Sequence, residues 1–361
     1  MANDTLKRKI AREFGTPAVV IDLDVVDRNI ARVQKVCDAH GVANRPHIKT
    51  HKNPELARAQ IAAGARGVTC QKLGEAEVMA AAGIDDILVT YNLISAARTG
   101  RLAALRRTLD LTVCADNPVT LAAYAEAGSE AEARIGVAIE CDTGRKRAGV
   151  ETPAEAIELA RTIKASPHLD FRGLVFYPRE DTWPESQKFF DTVSSGLKEL
   201  GLSPRIVSTG GTPNLANVGK MKGATEHRAG TYIFNDRMQI AYGAATLEDC
   251  ALSVYATVVS RAGEARGILD SGSKTLTADT GGNMDGFGLI LEYPEARIKG
   301  FAEEHGFLDL AATNRRPDVG EIVRVIPNHV CVVVNMVDRM IGVRGDDIVG
   351  VFDVAARGKL V

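Results

Sequence analysis

The sequence lacks several features that would point to particular classes of protein. No apolar run among its 361 residues approaches the roughly 18 residues that a membrane-spanning helix needs. The 44 Lys and Arg residues are balanced by 46 Asp and Glu residues, and a net charge of -2 gives no reason to expect nucleic acid or an anionic membrane as a partner. The segment Met1–Lys7 lacks the basic-then-apolar order of a signal peptide, so we expect a cytoplasmic protein.

Cysteine is sparse and its spacing excludes the common two-cysteine motifs. The six cysteines stand at positions 37, 70, 114, 141, 250 and 331, and no pair has the C-x-x-C spacing of redox or zinc motifs. In a reducing cytosol we expect most of them to be free and buried as small apolar side chains. Cys331 is set apart because a histidine, His329, precedes it by two residues.

Short apolar runs alternate with amphipathic stretches from Arg45 to about Phe234. Strands that alternate with helices predict a parallel sheet, and eight such units predict a (β/α)8 barrel whose strands end on the catalytic face. We place this barrel at residues 25–245. The predicted strands are Pro46–Lys49, Gly67–Cys70, Asp86–Thr90, Leu111–Ala115, Gly136–Glu140, Gly173–Tyr177, Arg205–Ser208 and Gly230–Phe234.

The pattern changes near Ala245, where short valine-rich runs joined by Gly or Asp turns predict an antiparallel β domain. We assign residues 1–24 and 246–361 to it, because the early run Ala18–Leu23 precedes the barrel strands and is expected to pair there. The other predicted strands are Ala251–Ser260, Gly267–Leu269, Glu321–Ile326, Val330–Val334, Arg339–Val343 and Asp347–Asp353.

Lys49 ends the segment Arg45-Pro46-His47-Ile48-Lys49. A lysine at the carboxyl end of a barrel strand can form a Schiff base with an aldehyde cofactor, if burial or nearby cations keep its amine unprotonated. A solvated basic strand end is the alternative interpretation, and spacing alone does not exclude it.

Two glycine loops follow late strands of the predicted barrel. Gly210-Gly211-Thr212 follows the strand at 205–208, and Gly230-Thr231 belongs to the last strand. Loops after the seventh and eighth strands of such barrels commonly bind phosphate through backbone N–H groups. The loop 142–150 contains Arg147, which could reach a bound cofactor or could be an unpaired surface arginine.

His329 and Cys331 lie two residues apart in a β-like run, so period-two geometry would turn both side chains to one face. Imidazole and thiolate together suit zinc. Two protein ligands would leave positions for water or substrate, as at a catalytic metal. A core cysteine beside a hydrogen-bonded histidine is the alternative.

Together these segments resemble the fold-type III pyridoxal-phosphate enzymes, and within them the D-threonine aldolase and D-serine dehydratase family. The resemblance covers essentially the whole chain. It implies an alanine-racemase-like TIM barrel followed by an antiparallel β domain. The motifs that carry it are Thr16-Pro17, Arg45-Pro46-His47-x-Lys49, Cys70-Gln71-Lys72 with Glu75, Gly144 through Val150, Gly210-Gly211-Thr212 and His329-x-Cys331.

The resemblance also implies residue roles. It makes Lys49 the lysine that binds pyridoxal 5'-phosphate, and it assigns a divalent metal to His329 and Cys331. In this family a histidine-x-cysteine pair accompanies zinc-dependent dehydratases, and histidine-x-aspartate accompanies aldolases that use manganese or similar ions. We therefore expect zinc, with manganese or magnesium as alternatives. The other implied cofactor contacts are Gln71, Arg147, Tyr177, Gly211, Thr212, Gly230 and Thr231.

The implied activity is that of a lyase on 3-hydroxy-D-amino acids. Dehydration would yield a 2-oxo acid and ammonia, and retro-aldol cleavage, the alternative, would yield glycine and an aldehyde. The family has a histidine after the tyrosine that ends the strand at 173–177, but this chain reads Tyr177-Pro178-Arg179. That change removes a candidate base for cleavage and favours dehydration. Arg179 could meet an anionic substrate side chain or pair with Glu180 at the surface.

Two other functions of this fold fit the sequence less well. Non-catalytic carriers of the same cofactor lack a second β domain. Racemases use a tyrosine from that domain, and Tyr255 lies there without a racemase-like motif. The resemblance further implies a homodimer in which the β domain of one copy closes the barrel mouth of the other, with indirect support from Gly281-Gly282 and the loop at Asp285-Gly286.

Overall fold

The computed structural model describes residues 2–282 and 284–361; Met1, the first residue of the segment considered for a signal peptide, lies outside the described residues. The chain divides into two compact units. The barrel unit comprises Arg32–Lys49, Pro54–Gly230 and Gly358–Val361. The β unit comprises Met1–Ala31, Thr50–Asn53 and Thr231–Arg357. None of the described helices is long and apolar enough to cross a membrane.

The described residues form helices and strands in the following order. The helices are α1 Ala2–Phe14, α2 Leu23–Ala39, α3 Pro54–Ala62, α4 Leu73–Ala81, α5 Ala96–Arg106, α6 Pro118–Ala131, α7 Pro153–Ala165, α8 Trp183–Glu199, α9 Arg237–Ala241, α10 Ser273–Leu276 and α11 Val330–Met336. The strands are β1 Ala18–Asp22, β2 Ala43–Asn44, β3 Val68–Cys70, β4 Ile87–Val89, β5 Thr112–Ala115, β6 Ile135–Cys141, β7 Leu169–Phe176, β8 Ile206–Gly210, β9 Glu226–Arg228, β10 Leu252–Ala262, β11 Arg266–Leu269, β12 Leu289–Ile290, β13 Arg297–Phe301, β14 Gly306–Asp309, β15 Ile322–Ile326, β16 Arg339–Arg344 and β17 Asp347–Asp353.

The barrel unit contains eight parallel strands in the order β2-β9-β8-β7-β6-β5-β4-β3. The two ends of this sheet meet where His47 and Thr69 form a parallel bridge and the Thr69 N–H donates to Pro46 O at 2.8 Å. The predicted (β/α)8 barrel is therefore confirmed. Most of its strands are apolar because helices cover the outer face and side chains fill the inner one, and every residue of β6 is buried.

Polar residues determine where several barrel helices begin. The Asn117 side chain accepts a hydrogen bond from the Thr120 N–H at 2.9 Å, and Pro118 occupies the first helical position of α6. Thr152 and Glu155 form a reciprocal capping box at the start of α7. The α7 cap starts that helix just after the loop 142–150, which carries Arg147.

Two predicted barrel strands are wrong in position. The strand expected at Pro46–Lys49 ends earlier, as β2, and Lys49 lies in the 3-10 turn Ile48–Thr50, because Pro46 has no N–H to donate to a ladder. The strand expected at Gly230–Phe234 is instead β9, at Glu226–Arg228, and Thr231–Ile233 is a 3-10 turn. The apolar run at 230–234 is as compatible with a buried turn as with a strand. β9 was not predicted because its three residues are polar.

The β unit is built on a nine-stranded sheet in the order β11-β14-β13-β12-β15-β10-β1-β16-β17, with an additional β10–β11 pairing. The early strand β1 pairs antiparallel with β10 and parallel with β16. This confirms that the run at Ala18–Leu23 joins the second domain. The strand predicted at Val330–Val334 is wrong: these residues lie in the helix α11. Their β-branched side chains favour strands, but the contacts of the folded chain override that preference.

A buried ion pair joins the first and last strands of the barrel. Arg45 is 2% exposed, and its Nε donates to Glu226 Oε2 at 2.8 Å while its Nη1 donates to Asp86 Oδ1 at 2.6 Å. Ser208 Oγ donates to the other Glu226 oxygen at 2.8 Å. Each oxygen of the fully buried Glu226 carboxylate is therefore hydrogen-bonded. Loss of either charged side chain, Arg45 or Glu226, would leave the other buried without its partner.

We expect Glu226→Ala to lower the free energy of unfolding by about 3 kcal/mol, because it leaves the Arg45 guanidinium buried with one carboxylate fewer. Urea unfolding followed by the fluorescence of Trp183 measures this directly, since the only tryptophan is buried in the same unit. Glu130→Ala removes an exposed pair with Arg107 and should change stability by less than about 0.5 kcal/mol. Equal unfolding midpoints for the two variants would contradict the role of the buried pair.

Candidate active site

Lys49 lies half-buried at the end of the segment that Arg45 anchors. The Lys49 N–H faces His47 Nδ1 at 3.4 Å, and the opposite nitrogen of His47 lies 3.2 Å from Gln71 Oε1. Gln71 Nε2 in turn donates to the Thr90 carbonyl at 2.7 Å. Burial and the nearby charges of Lys49 and Arg228 hold the pKa of His47 well below its ordinary value, so His47 is neutral. His47 therefore fixes the orientation of the Gln71 amide.

Two arginines lie against the ring of Tyr177, directly after β7. The guanidinium carbons of Arg145 and Arg147 are 4.4 and 5.0 Å from the ring centroid. Gly211 has a φ of +109°, and a Cβ there would come within 2.8 Å of the Tyr177 ring. Glycine is thus required at this position, both by the backbone conformation and by the close approach of the ring.

Arg228 is a buried cation that the sequence analysis missed. Its Nη2 donates to the Phe176 carbonyl at 3.0 Å, while its Nη1 has no hydrogen-bond partner among the described residues. Burial lowers the pKa of Arg228, and burial raises the pKa of Glu140, which faces both Arg147 and Arg228. The signal was an arginine in a strand of three buried polar residues, Glu226–Arg228.

His227 supports the glycine loop from inside the barrel. Its Nδ1 lies 3.0 Å from Thr209 Oγ1, and its Nε2 lies 3.1 Å from the Gly211 carbonyl oxygen. Since a carbonyl only accepts, Nε2 carries the proton and Nδ1 accepts from the hydroxyl. Burial lowers the pKa of His227 to about 4, which keeps the ring neutral and this pair of hydrogen bonds intact.

The β unit brings His329 and Cys331 together, although not by strand alternation. His329 precedes α11 in extended conformation, with φ -142° and ψ 102°, and Cys331 lies in the first turn of that helix. His329 Nδ1 is 2.7 Å from Asp279 Oδ2. Burial opposes the charged ring, but hydrogen bonds to Cys331 and Asp279 raise the pKa of His329 to about 9. The imidazole thus lies between a thiol and a carboxylate.

Buried polar groups hold this turn in place. Asp236 is fully buried, and its carboxylate accepts from the Gln239 N–H at 2.9 Å and from the Val330 N–H at 3.0 Å. It therefore caps α9 and the start of α11 together. Burial raises the pKa of Asp236 to about 6. Thr50 Oγ1, from the residue after Lys49, lies 3.2 Å from Cys331 Sγ.

The residues present fit the groups that the sequence predicts. In the barrel unit, the buried Nη1 of Arg228, which has no hydrogen-bond partner among the described residues, leaves a donor for an anionic cofactor. In the β unit, imidazole and thiol form a donor pair typical of zinc. No group of three or more His, Cys, Asp and Glu residues in residues 2–282 and 284–361 could hold a metal.

The predicted site residues are distributed over both units. The barrel unit holds Lys49, Gln71, Arg147, Tyr177, Gly211, Thr212 and Gly230. The β unit holds His329, Cys331 and Thr231, whose Oγ1 lies 3.8 Å from Cys331 Sγ. Thr231 therefore lies beside Cys331, and its expected role at the cofactor phosphate stays a prediction. Arg179 is exposed and pairs with Asp181 at 3.1 Å.

Comparison with known families gives two matches along the chain. The alanine racemase N-terminal domain matches residues 21–238, and a putative serine dehydratase domain matches residues 251–343. Among characterised proteins, the D-threonine aldolase of Arthrobacter sp. is 32% identical over 95% of this chain and 93% of its own length. The D-threo-3-hydroxyaspartate dehydratase of Delftia sp. strain HT23 is 34% identical over 88% of this chain and 90% of its own.

Solved structures give the same two kinds of relative. The D-threonine aldolase of Filomicrobium marinum superposes with a TM-score of 0.88 at 31% identity, covering 96% of each chain. A cysteine-to-alanine variant of D-threo-3-hydroxyaspartate dehydratase, solved in a metal-free form, superposes with a TM-score of 0.87 at 30% identity, over 94% of this chain and 97% of the other.

We expect acid to destabilise the barrel through His227. An unfolded histidine titrates near pH 6.5, whereas this ring in the folded state titrates near 4. Between these values the unfolded chain binds a proton that the folded chain does not, so stability falls as the pH falls, by about 3 kcal/mol in total. Urea unfolding from pH 7 to 4, followed by Trp183 fluorescence, measures this loss.

His227→Gln should reduce this dependence, because the amide can still donate to Gly211 and accept from Thr209 without titrating. His47, whose pKa burial also lowers, keeps its own contribution. His40→Gln, at an exposed position in the same unit, is the matched control and should leave the slope unchanged. Identical slopes for wild type and His227→Gln would refute the assignment.

Proposed function

Because the chain belongs to the fold-type III pyridoxal-phosphate family of D-threonine aldolases and D-serine dehydratases and is a lyase of that family, we propose that it dehydrates 3-hydroxy-D-amino acids. The products would be a 2-oxo acid and ammonia. The observation that carries this proposal is the donor pair of His329 and Cys331, with the imidazole hydrogen-bonded to Asp279. A thiol at this position accompanies dehydratases in the family, and zinc is the ion that such a pair suits.

His329 and Cys331 would hold the metal ion, which, when bound, supplies a Lewis acid for the 3-hydroxyl of the substrate. Thr50 supports this role because its hydroxyl can donate to the Cys331 sulfur and favour the thiolate that binds metal. The remaining coordination positions would go to water and to the substrate. Zinc is the proposed ion, with manganese or magnesium as alternatives.

Lys49 would bind the cofactor and, once released by the substrate amine, move the proton at Cα. Pyridoxal phosphate, when bound, supplies the electron sink for the bond broken at Cα. Gln71 is held in one orientation by His47 and Thr90, which suits it to contact a flat ring. Gly211, Thr212 and Gly230 would hold the phosphate, while Arg147 and Tyr177 would line the ring and its oxygen, beside the unpaired Arg228 donor.

Retro-aldol cleavage to glycine and an aldehyde is the second candidate, favoured by the similarity to D-threonine aldolases. It needs a base for the 3-hydroxyl. The family's histidine is absent here, and the exposed Arg179 that follows Pro178 pairs with Asp181. An arginine stays protonated and cannot serve as that base. This difference favours dehydration.

We also propose that the enzyme acts in the cytoplasm as a homodimer. The family resemblance supports the dimer, in which the β domain of one copy would close the barrel mouth of the other. A monomer with full turnover in active-enzyme sedimentation would overturn this part of the proposal.

We expect the purified holoenzyme to be yellow and to lose its imine absorbance on treatment with borohydride. Peptide mapping should then find the reduced cofactor on Lys49, because this lysine ends the segment that Arg45 and His47 hold in place. Lys52 and Lys72 lie close in the sequence and are the internal controls. An adduct on either of them would refute the assignment of Lys49.

We expect 3-hydroxy-D-amino acids to be consumed with release of 2-oxo acid, and the L-isomers to be ignored. Chelation should abolish turnover while the cofactor stays bound, and His329→Ala should behave like the chelated enzyme because one of two protein ligands is gone. Separate assays for 2-oxo acid and aldehyde, with and without chelator, measure this.

Two results would contradict the proposal in different ways. Full activity after exhaustive chelation, with no metal found by elemental analysis, would eliminate the metal. Glycine and aldehyde formed from D-threonine, without any 2-oxo acid, would identify the enzyme as an aldolase.

A further inference from the structure

The carboxylate of Asp279 meets the candidate metal ligand on one side and the backbone on the other. Its Oδ2 is 2.7 Å from His329 Nδ1, and its Oδ1 accepts from the Gly281 N–H at 2.8 Å. An ionised carboxylate can only accept hydrogen bonds, so Nδ1 of the ring must carry a proton. Nε2 is then the ring nitrogen left for a metal, which would bind it in place of the proton that it carries in the charged ring.

The peptide around Asp279 is shaped to hold this carboxylate in place. Gly281 has a φ of +59°, a conformation that favours glycine. Its N–H is the group that donates to Asp279 Oδ1. Asn328, the residue before His329, donates through Nδ2 to the Asp279 carbonyl at 3.1 Å and to the Gly286 carbonyl at 3.0 Å. Asp279 and His329 are thus connected twice, by the hydrogen bond between their side chains and by the Asn328 side chain, which donates to the Asp279 carbonyl.

The same side chain of Asn328 is held from a third direction. Its Oδ1 accepts from Arg237 Nη1 at 2.6 Å, and its own carbonyl accepts from the Met238 N–H at 3.2 Å. Asn328 is 1% exposed. The position of Asp279 relative to His329 is therefore also fixed by the buried side chain of Asn328, in addition to the hydrogen bond between Asp279 and His329.

We propose that Asp279 is a positioning residue that selects the ring tautomer of His329 and so presents Nε2 to the metal. This inference rests on the proposed function, since it concerns the metal that His329 and Cys331 would hold. Carboxylates that accept from the second nitrogen of a metal-binding histidine fix its orientation and raise its basicity. The sequence showed only the neighbouring Gly281-Gly282, and nothing in its spacing linked Asp279 to His329.

The test compares Asp279→Asn with Asp279→Ala. The two substitutions distinguish selection of the His329 tautomer from a purely structural role of the Asp279 side chain. In Asp279→Asn, the Gly281 N–H keeps the amide oxygen on its side, so the amide nitrogen faces the ring as a donor. Nδ1 must then accept, the proton moves to Nε2, and the metal loses its donor. Asp279→Ala leaves the ring free to adopt either tautomer.

We expect the affinity for zinc to fall roughly 10-fold in Asp279→Ala and roughly 100-fold in Asp279→Asn. Competition with a chromophoric chelator, read against the zinc content by elemental analysis, measures these affinities in the cofactor-loaded protein. With cobalt in place of zinc, the thiolate-to-metal absorption should be weakest in Asp279→Asn. A purely structural role predicts the opposite order, because asparagine is nearly isosteric with aspartate.

Asp309→Asn is the matched control, because Asp309 Oδ1 also accepts from an N–H two residues on, that of Ala311 at 3.0 Å. It should bind zinc as the wild type does, and His329→Ala should mark the lower limit. The reduced adduct at Lys49 should form equally in all variants, which reports an intact barrel unit.

The outcomes separate this inference from the proposed function. Zinc bound by Asp279→Asn as tightly as by the wild type, or more tightly than by Asp279→Ala, would overturn the tautomer role while the metal site stands. A wild type that binds no zinc at all would overturn the proposed metal site and this inference with it.

Discussion

Arg45 is the residue on which the barrel unit most depends, because it carries a charge into the interior that only correctly assembled strands can satisfy. Its guanidinium reaches Glu226 on β9 and Asp86 just before β4, and its own N–H pairs with the His227 carbonyl at 2.9 Å. Desolvation makes an unpaired guanidinium costly, so competing arrangements of these strands are penalised. Lys49, four residues further on, is therefore held at the end of a fixed segment.

In the β unit, the buried carboxylate of Asp236 holds the residues that the sequence had placed on a strand. Asp236 caps two helices at once, and the start of α11 is where the imidazole and the thiol meet. A helix start can bring a residue before the helix and one in its first turn together, as a strand would. His329 and Cys331 are thus brought together by the start of a helix, whereas the sequence predicted a strand.

The sequence predicted the class of fold well because alternation of strands and helices is a property of long stretches. It predicted the ends and positions of individual strands less well, because single residues determine them. Pro46 ends β2 before Lys49, and the polar strand Glu226–Arg228 was passed over for the apolar run after it. Similarly, β12, β13 and β14 were missed, because they have only two, five and four residues. The candidate site residues come from motifs, whereas Arg228 and Asp279 make contacts with residues distant in sequence, which no local pattern encodes.

The pairing of β1 has a consequence for how the chain folds during its synthesis. Val20 of β1 lies opposite Ile341 of β16, so this sheet joins residues more than three hundred positions apart. While the ribosome is still translating the barrel, β1 has neither of its neighbouring strands and exposes an apolar edge. The barrel strands β3 to β8 each pair with the next strand in sequence and can do so as they appear, but β1 has to wait for β10 and β16. β1 would therefore stay without a neighbouring strand until the whole barrel had been synthesised.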